Sequence, residues 1–269
     1  MRHDATAFRG PFHGLVHPRL LPGLLRRLRG DRGGAGGRDP AAVRRVSFRR
    51  ALAAVAAASL AACTPVFATA ATFSAPAATR TSNETGGLKT AIFAGGCFWG
   101  VEAVFSHMKG VKSAVSGYHG GTLARPTYEQ VNTGVTGHAE AVKVVYDPKV
   151  VRYDQLLRVF FAVVADPTLK DRQGPDVGPQ YRAALVPMTP EQRAVATAYL
   201  AQMRASGVWQ RPIVTGIEAA RTFYPAETYH QDFAQKNPNH PYIRAWDAPK
   251  VAALREMFPT LYSARFQAG

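Results

Sequence analysis

The chain has 269 residues, 46% of them apolar and 19% charged, a composition that fits a globular protein with one substantial core and excludes an extensively disordered one. Its net charge of +15 is unevenly placed: residues 1–50 hold 12 Arg against 3 Asp, which leaves only +6 for everything after them. That remainder has no run of basic residues interleaved with aromatics, so nucleic-acid binding is not expected.

Residues 1–42 are rich in Arg, Gly and Pro and read as a start-site extension, disordered, with initiation at Val43 through an alternative start codon. Arg44, Arg45, Arg49 and Arg50 then precede the apolar run 51–62, which ends at Cys63. A charged stretch, a short apolar stretch and small residues form the layout of a secretory signal over 43–63, too short to span a membrane as a helix. Two cuts compete. Leu60-Ala61-Ala62-Cys63 is similar to a lipobox, which makes Cys63 a lipidation candidate and the protein a membrane-anchored lipoprotein; Ala68-Thr69-Ala70 is an A-x-A site, whose use near residue 70 would discard Cys63. Either way the expected location is the periplasm or cell envelope. Residues 64–87, mostly Ala, Thr, Ser and Gly, read as a flexible linker, and 88–269 as the folded domain.

Within that domain, 88–94 is an apolar run bounded by glycines and predicts a strand. From 97 to 108 the spacing changes to that of a helix, with Phe98, Val101, Val104 and Phe105 on one face. Strands are predicted over 111–118, 140–146 and 181–186, and an amphipathic helix over 153–164. Thr189-Pro190-Glu191-Gln192 predicts a capping-box helix start running to about Ser206. Strands and helices interleave at irregular spacings without a glycine-rich phosphate loop, which points to a layered α+β domain and not a doubly wound one.

The sequence Gly95-Gly96-Cys97-Phe98-Trp99-Gly100 therefore lies on a strand-to-helix turn. A thiol there meets unpaired backbone N–H groups and the positive end of the helix dipole, which are expected to stabilise the thiolate and lower the Cys97 pKa. The glycines, Gly96 included, are expected to let a substrate approach the backbone, and Phe98 and Trp99 to offer an apolar wall. Taken without context, a lone cysteine is more often a small buried apolar side chain, Tyr128 and Tyr181 ordinary half-buried tyrosines, and Glu140 a solvated carboxylate. His138 and His230 raise the alternative of a Cys-His hydrolase, but neither stands in a hydrolase motif, and no Cys or His spacing suits a metal.

The motif resembles the Gly-Cys-Phe-Trp-Gly signature of the A-type peptide methionine sulfoxide reductases. The resemblance continues in order through Gly-Tyr-His-Gly-Gly (117–121), Arg-Pro-Thr-Tyr-Glu-Gln-Val (125–131), Thr-Gly-His-Ala-Glu-Ala-Val (136–142), the 172–182 stretch containing Asp176 and Tyr181, and Phe-Tyr-Pro-Ala-Glu-Thr-Tyr-His-Gln-Asp-Phe (223–233). It implies a two-layer α/β sandwich with a ferredoxin-like core, long irregular loops and a C-terminal extension. It also implies reduction of the S epimer of methionine sulfoxide, free or in proteins, as a protein-repair activity. Cys97 would attack sulfur and become a sulfenic acid. Glu140, Tyr128 and Tyr181 would surround the oxygen, with Asp176 supporting the site and Phe98 and Trp99 holding the methyl group. Glu140 can supply a proton near neutral pH only if an apolar pocket raises its pKa.

No cysteine follows Cys97, so no resolving thiol is at hand for an internal disulfide. No bound cofactor or metal is expected; an external thiol reductant, thioredoxin or another dithiol, is. A monomer is expected. A non-catalytic module that holds methionine-like groups is the remaining alternative.

Overall fold

The computed structural model describes residues 73–269. The proposed start-site extension, the signal and Cys63 lie outside the described residues. The core is a six-stranded sheet of order β7-β6-β1-β3-β2-β8, built from β1 (Lys89–Gly95), β2 (Val111–His119), β3 (Ala139–Tyr146), β6 (Ala183–Val186), β7 (Gly216–Ile217) and β8 (Tyr224–Pro225). All neighbours pair antiparallel except β6 and β7. A separate hairpin joins β4 (Arg172–Gln173) to β5 (Asp176–Val177).

Strand β1 is central and buried on both faces, which is why its sequence reads as a continuous apolar run. Ala91 and Phe93 face the main core, while Ile92 and Ala94 face a thinner layer with Ala139, Ala141, Ala184 and Val186 beneath Phe223. The main core is closed by α1 (Phe98–Ser106), α3 (Tyr153–Val159) and α4 (Pro190–Ala205). Phe98, Val101, Val104 and Phe105 all enter it from α1, as their spacing predicts.

The helix predicted over 153–164 is divided. It is α-helical to Val159 and then opens into a π-turn over Phe160–Val164. All five residues of that turn are buried, and a wider turn lets successive apolar side chains point inward where an α-helix would send some of them to solvent. Tyr181 belongs not to a strand but to a short 3-10 turn, Pro179–Tyr181, because Gly178 and Pro179 interrupt the extended chain before β6. Thr189 caps α4 by accepting from the Gln192 N–H at 3.1 Å, but Gln192 Oε1 returns to the Met188 N–H at 2.7 Å, so the box closes one residue early.

The described part of the expected linker, 73–87, has no helix or strand, yet it lies against the domain. The Tyr199 hydroxyl donates to the Pro76 carbonyl at 2.7 Å, the Ser82 N–H donates to Asp154 Oδ1 at 2.9 Å, and Arg80 pairs with Glu191. Ala75 is buried in the main core. Small-residue composition hid this strap because, apart from the Arg80 and Glu84 side chains, it contributes backbone groups and one methyl, held by side chains of α3 and α4.

Candidate active site

Strand β1 ends at Gly95, the chain turns at Gly96 with φ +89°, and Cys97 is the N-cap of α1. A side chain at Gly96 would meet Gln173 Cβ at 2.5 Å. The open approach to backbone expected there is thus filled by Gln173, and the glycine answers to a left-handed turn and to close packing.

Cys97 is 9% exposed. Its thiol is pushed up, contrary to the sequence expectation: burial dominates, and the carboxyls of Glu140, Asp247 and Asp176 add to it, against the opposing pull of the Trp99 backbone N–H. The terminal dipole is present but is outweighed by desolvation and three acidic neighbours, none of them adjacent in sequence.

Glu140, near the start of β3, is 3% exposed. Its Oε2 accepts the Phe98 N–H at 2.9 Å, which places the carboxyl one residue from the thiol. Burial pushes its pKa up to about 8; the Phe98 hydrogen bond opposes this, and Asp176 and Asp247 reinforce it. At neutral pH it is mostly a neutral acid that can give a proton.

Tyr128 opens α2 (Tyr128–Asn132), whose capping box pairs Thr127 with Gln130. Glu227 fixes this helix start, accepting the Tyr128 N–H at 2.9 Å and the Tyr118 hydroxyl at 2.8 Å. Although burial pushes Glu227 up, hydrogen bonds from its own N–H, from Tyr128 and from Tyr118 hold it below the ordinary carboxylate value. Tyr128 and Tyr181 are both pushed up, first by burial and next by the Glu140 charge, and each also feels Cys97 and Asp176. They remain neutral phenols able to donate. Cys97, Glu140, Tyr128, Tyr181 and Asp176, spread over 85 positions of sequence, therefore form one electrostatically coupled cluster.

Phe98 is buried, packed on Tyr118 and on the ring of His230. Trp99 is half-buried, stacked on Phe233 with centroids 3.8 Å apart, and its Nε1 donates to His230 Nδ1 at 3.1 Å. His230 is a residue whose role sequence reasoning missed: it packs on Phe98, Trp99 and Tyr128, and burial lowers its pKa to about 4, so it is a neutral acceptor for the indole. The 223–233 motif carried the signal for both Glu227 and His230. His138 instead braces a loop, with Nε2 against the Leu123 carbonyl and Nδ1 against the Gly121 N–H.

A cavity of about 230 Å³ reaches Cys97 and is also lined by Asp176, Gln173, Tyr242, Trp246 and Lys250. Tyr242, Trp246 and Lys250 come from a π-turn (Ile243–Asp247) with its flanking residue and from α6 (Ala248–Met257), C-terminal elements that the sequence reading left unassigned. The Tyr242 hydroxyl donates to Asp176 Oδ2. Burial raises Asp176, and Tyr242 and Lys250 oppose that shift. Among the described residues, no group of three or more His, Cys, Asp or Glu is arranged to hold a metal.

The arrangement supplies a buried thiol, a neutral carboxylic acid and two neutral phenols around one point, which suits attack by sulfur with protonation of a developing oxyanion. A family model described as peptide methionine sulfoxide reductase matches residues 89–261. The peptide methionine sulfoxide reductase MsrA 2 of Mesorhizobium japonicum is 53% identical over 179 residues, 66% of this chain and 92% of that protein. The peptide methionine sulfoxide reductase MsrA of Deinococcus radiodurans is 52% identical over 168 residues, 62% of this chain and 81% of that protein. Among solved structures, reduced Mxr1 of Saccharomyces cerevisiae is similar at 30% identity and a TM-score of 0.51, covering 60% of this chain and 92% of that one.

Proposed function

The chain belongs to the peptide methionine sulfoxide reductase family, and on that premise we propose how its residues divide the reaction and what reduces it afterwards. It reduces methionine sulfoxide in proteins to methionine. Cys97 attacks the sulfoxide sulfur while Glu140 gives its proton to the oxygen, and Tyr128 and Tyr181 donate hydrogen bonds where charge grows. The sulfoxide sulfur gains two electrons and leaves as the thioether. Cys97 loses two and becomes a sulfenic acid. Asp176, tied to Tyr242, orients the bound residue, and the half-buried indole of Trp99 beside Phe98 receives the methyl group. The S epimer, free or within a protein, is the substrate form.

The observation that carries this reading is the buried Glu140 carboxyl, hydrogen-bonded to the N–H one residue from the thiol, with burial pushing its pKa up to about 8. Cys97 is the sole cysteine among the described residues. An external thiol therefore attacks the sulfenic acid, releasing water and leaving a mixed disulfide, and a second thiol frees Cys97. A thioredoxin-like dithiol supplies both sulfurs in one partner.

The β6-β1-β3-β2 order, with α1 and α3 as the connections on one face, is our basis for reading the core as ferredoxin-like. The arginine-flanked apolar run before Cys63 supports export, repair in the cell envelope and a lipid anchor at Cys63.

The test mixes reduced protein with one equivalent of S-methionine sulfoxide and no reductant, beside Cys97→Ser. A stoichiometric burst of methionine with one oxygen gained on Cys97 is expected. An unmodified thiol with no methionine released would overturn the reading.

A further inference from the structure

The cavity of about 230 Å³ that reaches Cys97 is not bordered by the groups that handle the oxygen. Its walls are the end of the first π-turn with the loop to Leu169, the β4–β5 hairpin, and Tyr242, Trp246 and Lys250. Glu140, Tyr128, Tyr181, Phe98 and Trp99 are not among its lining residues. Of the groups assigned above to the substrate, only Asp176 borders it beside the thiol itself. Cys97 is therefore approached from two sides. One carries the acid, the phenols and the aromatic wall, and the other is this cavity.

The chemistry of recycling needs a second side. The first half-reaction leaves the substrate oxygen on Cys97 Sγ, among Glu140, Tyr128 and Tyr181. A thiolate displaces that oxygen from the direction opposite the sulfur–oxygen bond, in line with the bond that breaks. The oxygen side is thus closed to it, while the cavity leads to the same sulfur past none of the oxygen's hydrogen-bond donors.

Lys250 is the one basic side chain among those lining the cavity. The carboxyls there have partners: Asp166 pairs with Arg211 at 3.3 Å, and Asp176 accepts the Tyr242 hydroxyl. Lys250 makes no ion pair among the described residues. Its Nζ would be 3.3 Å from a β-carbon on Gly100, in the first turn of α1, which sets the ammonium beside the helix start that carries the thiol. An ammonium at that point favours the thiolate form of an arriving thiol and attracts one that carries a carboxylate.

From this second approach we infer that the cavity is the entry for the external thiol that recycles Cys97, with Lys250 as the group that attracts it. The inference rests on the reductase reading above. The ligand is a thiolate, carried by a small organic thiol or by an exposed cysteine of a dithiol protein. The step balances. The thiolate, Cys97–SOH and protonated Glu140 give a mixed disulfide, water and ionised Glu140. The Sγ–oxygen bond breaks and a sulfur–sulfur bond forms. The incoming sulfur is oxidised by one electron and Cys97 Sγ is reduced by one, and solvent then returns a proton to Glu140.

The experiment loads the full chain with one equivalent of S-methionine sulfoxide, records the burst of methionine, then adds thiol and follows the mixed disulfide on Cys97 by quenched-flow mass spectrometry. Mercaptopropionate, mercaptoethanol and cysteamine serve as anionic, neutral and cationic probes. Leu169→Trp enlarges a partly exposed loop side chain that lines the cavity. It is expected to slow disulfide formation with the small thiols by about tenfold or more and to leave the burst at the parent rate. Lys250→Met is expected to lower the ratio of the mercaptopropionate rate to the cysteamine rate by about two- to fivefold relative to the parent. A merely structural defect slows both thiols alike and leaves that ratio unmoved.

Recycling by small thiols at the parent rate in Leu169→Trp overturns the inference. So does a burst slowed as much as recycling, because the cavity then admits the substrate. Should Leu169→Trp fail to fold, an unmoved ratio in Lys250→Met decides against it. Thioredoxin, tried beside the small thiols, separates the two carriers: slowed with both, a protein cysteine also enters here; slowed with small thiols alone, only they do, and either result supports the entry. A missing burst in the parent chain would instead sink the reductase reading.

Discussion

The backbone N–H of Phe98 donates to Oε2 of Glu140 at 2.9 Å, so the peptide that follows the nucleophile holds the acid. Register does the rest: Glu140 pairs with Tyr118 across β3 and β2, and Tyr118 donates to Glu227, which in turn holds Tyr128. One sheet register therefore spaces thiol, acid and phenol.

Glu140→Gln keeps the Phe98 hydrogen bond, because the amide oxygen still accepts, but it has no proton to give. The burst of methionine is expected to fall by about 10²–10⁴-fold. In the parent chain the burst declines as pH rises through about 8, where Glu140 loses its proton. That limb is expected to vanish in the variant, and stopped-flow bursts over the same pH range check both points.

Glu227→Ala removes the acceptor for both the Tyr128 N–H and the Tyr118 hydroxyl. Each lost partner costs about 1–3 kcal/mol where the donor stays buried. A lowered unfolding midpoint and a kcat/KM reduced about tenfold are expected, the latter because Tyr128 loses the contact that fixes its helix start. Thermal melts and steady-state kinetics with a saturating dithiol measure the two effects.

Gly96→Ala forces a β-carbon to 2.5 Å from Gln173 Cβ at a backbone φ of +89°. The conformational penalty alone is about 1–2 kcal/mol, and Gln173 is anchored to both backbone groups of Asp166 and cannot withdraw freely. Lower stability and a misplaced thiol are expected together. Chemical denaturation and the alkylation rate of Cys97 report them separately.

Much of the site was legible because its chemistry is written locally. The apolar run of β1, the glycines and the shift to helical spacing place Cys97 at a helix start, and the ordered motifs carry Glu140, Tyr128, Tyr181 and Asp176. The direction of the thiol shift was not legible. It is set by burial and by Glu140, Asp247 and Asp176 converging from three separate elements. Nor was the π-turn over Phe160–Val164, since an unbroken run of five apolar residues has no period that separates a buried π-turn from a buried α-helix. The strap over 73–87 escaped because alanines and serines give no pattern when the groups that fix them are on distant helices.

Removing residues up to 87 tests that strap. It deletes the bonds of Tyr199 to Pro76, Asp154 to Ser82 and Tyr146 to Glu84, and uncovers the pocket filled by Ala75. A loose tether would leave the unfolding midpoint unchanged. A drop of several degrees is expected here, since each kcal/mol shifts the midpoint of a domain this size by about 2–4 °C. Calorimetry of both lengths decides it.

Glu102, on α1, is 1% exposed and accepts the Asp232 N–H at 2.9 Å. Burial and the nearby Asp232 charge raise it to about 8, against the hydrogen bond from the Asp232 N–H. Between about pH 4.5 and 8 the folded state keeps this proton while the unfolded chain releases it. The folded state thus binds more protons, and stability falls as pH rises through that window. Glu140 and Asp247, also raised, add to the same slope. Glu102→Gln retains an acceptor for Asp232 but cannot ionise. It is expected to stabilise the protein above pH 8 and to flatten the pH dependence between 5 and 8. Urea unfolding at pH 5, 7 and 9 measures this, and a slope unchanged from the parent chain would show that Glu102 does not hold its proton in the folded state.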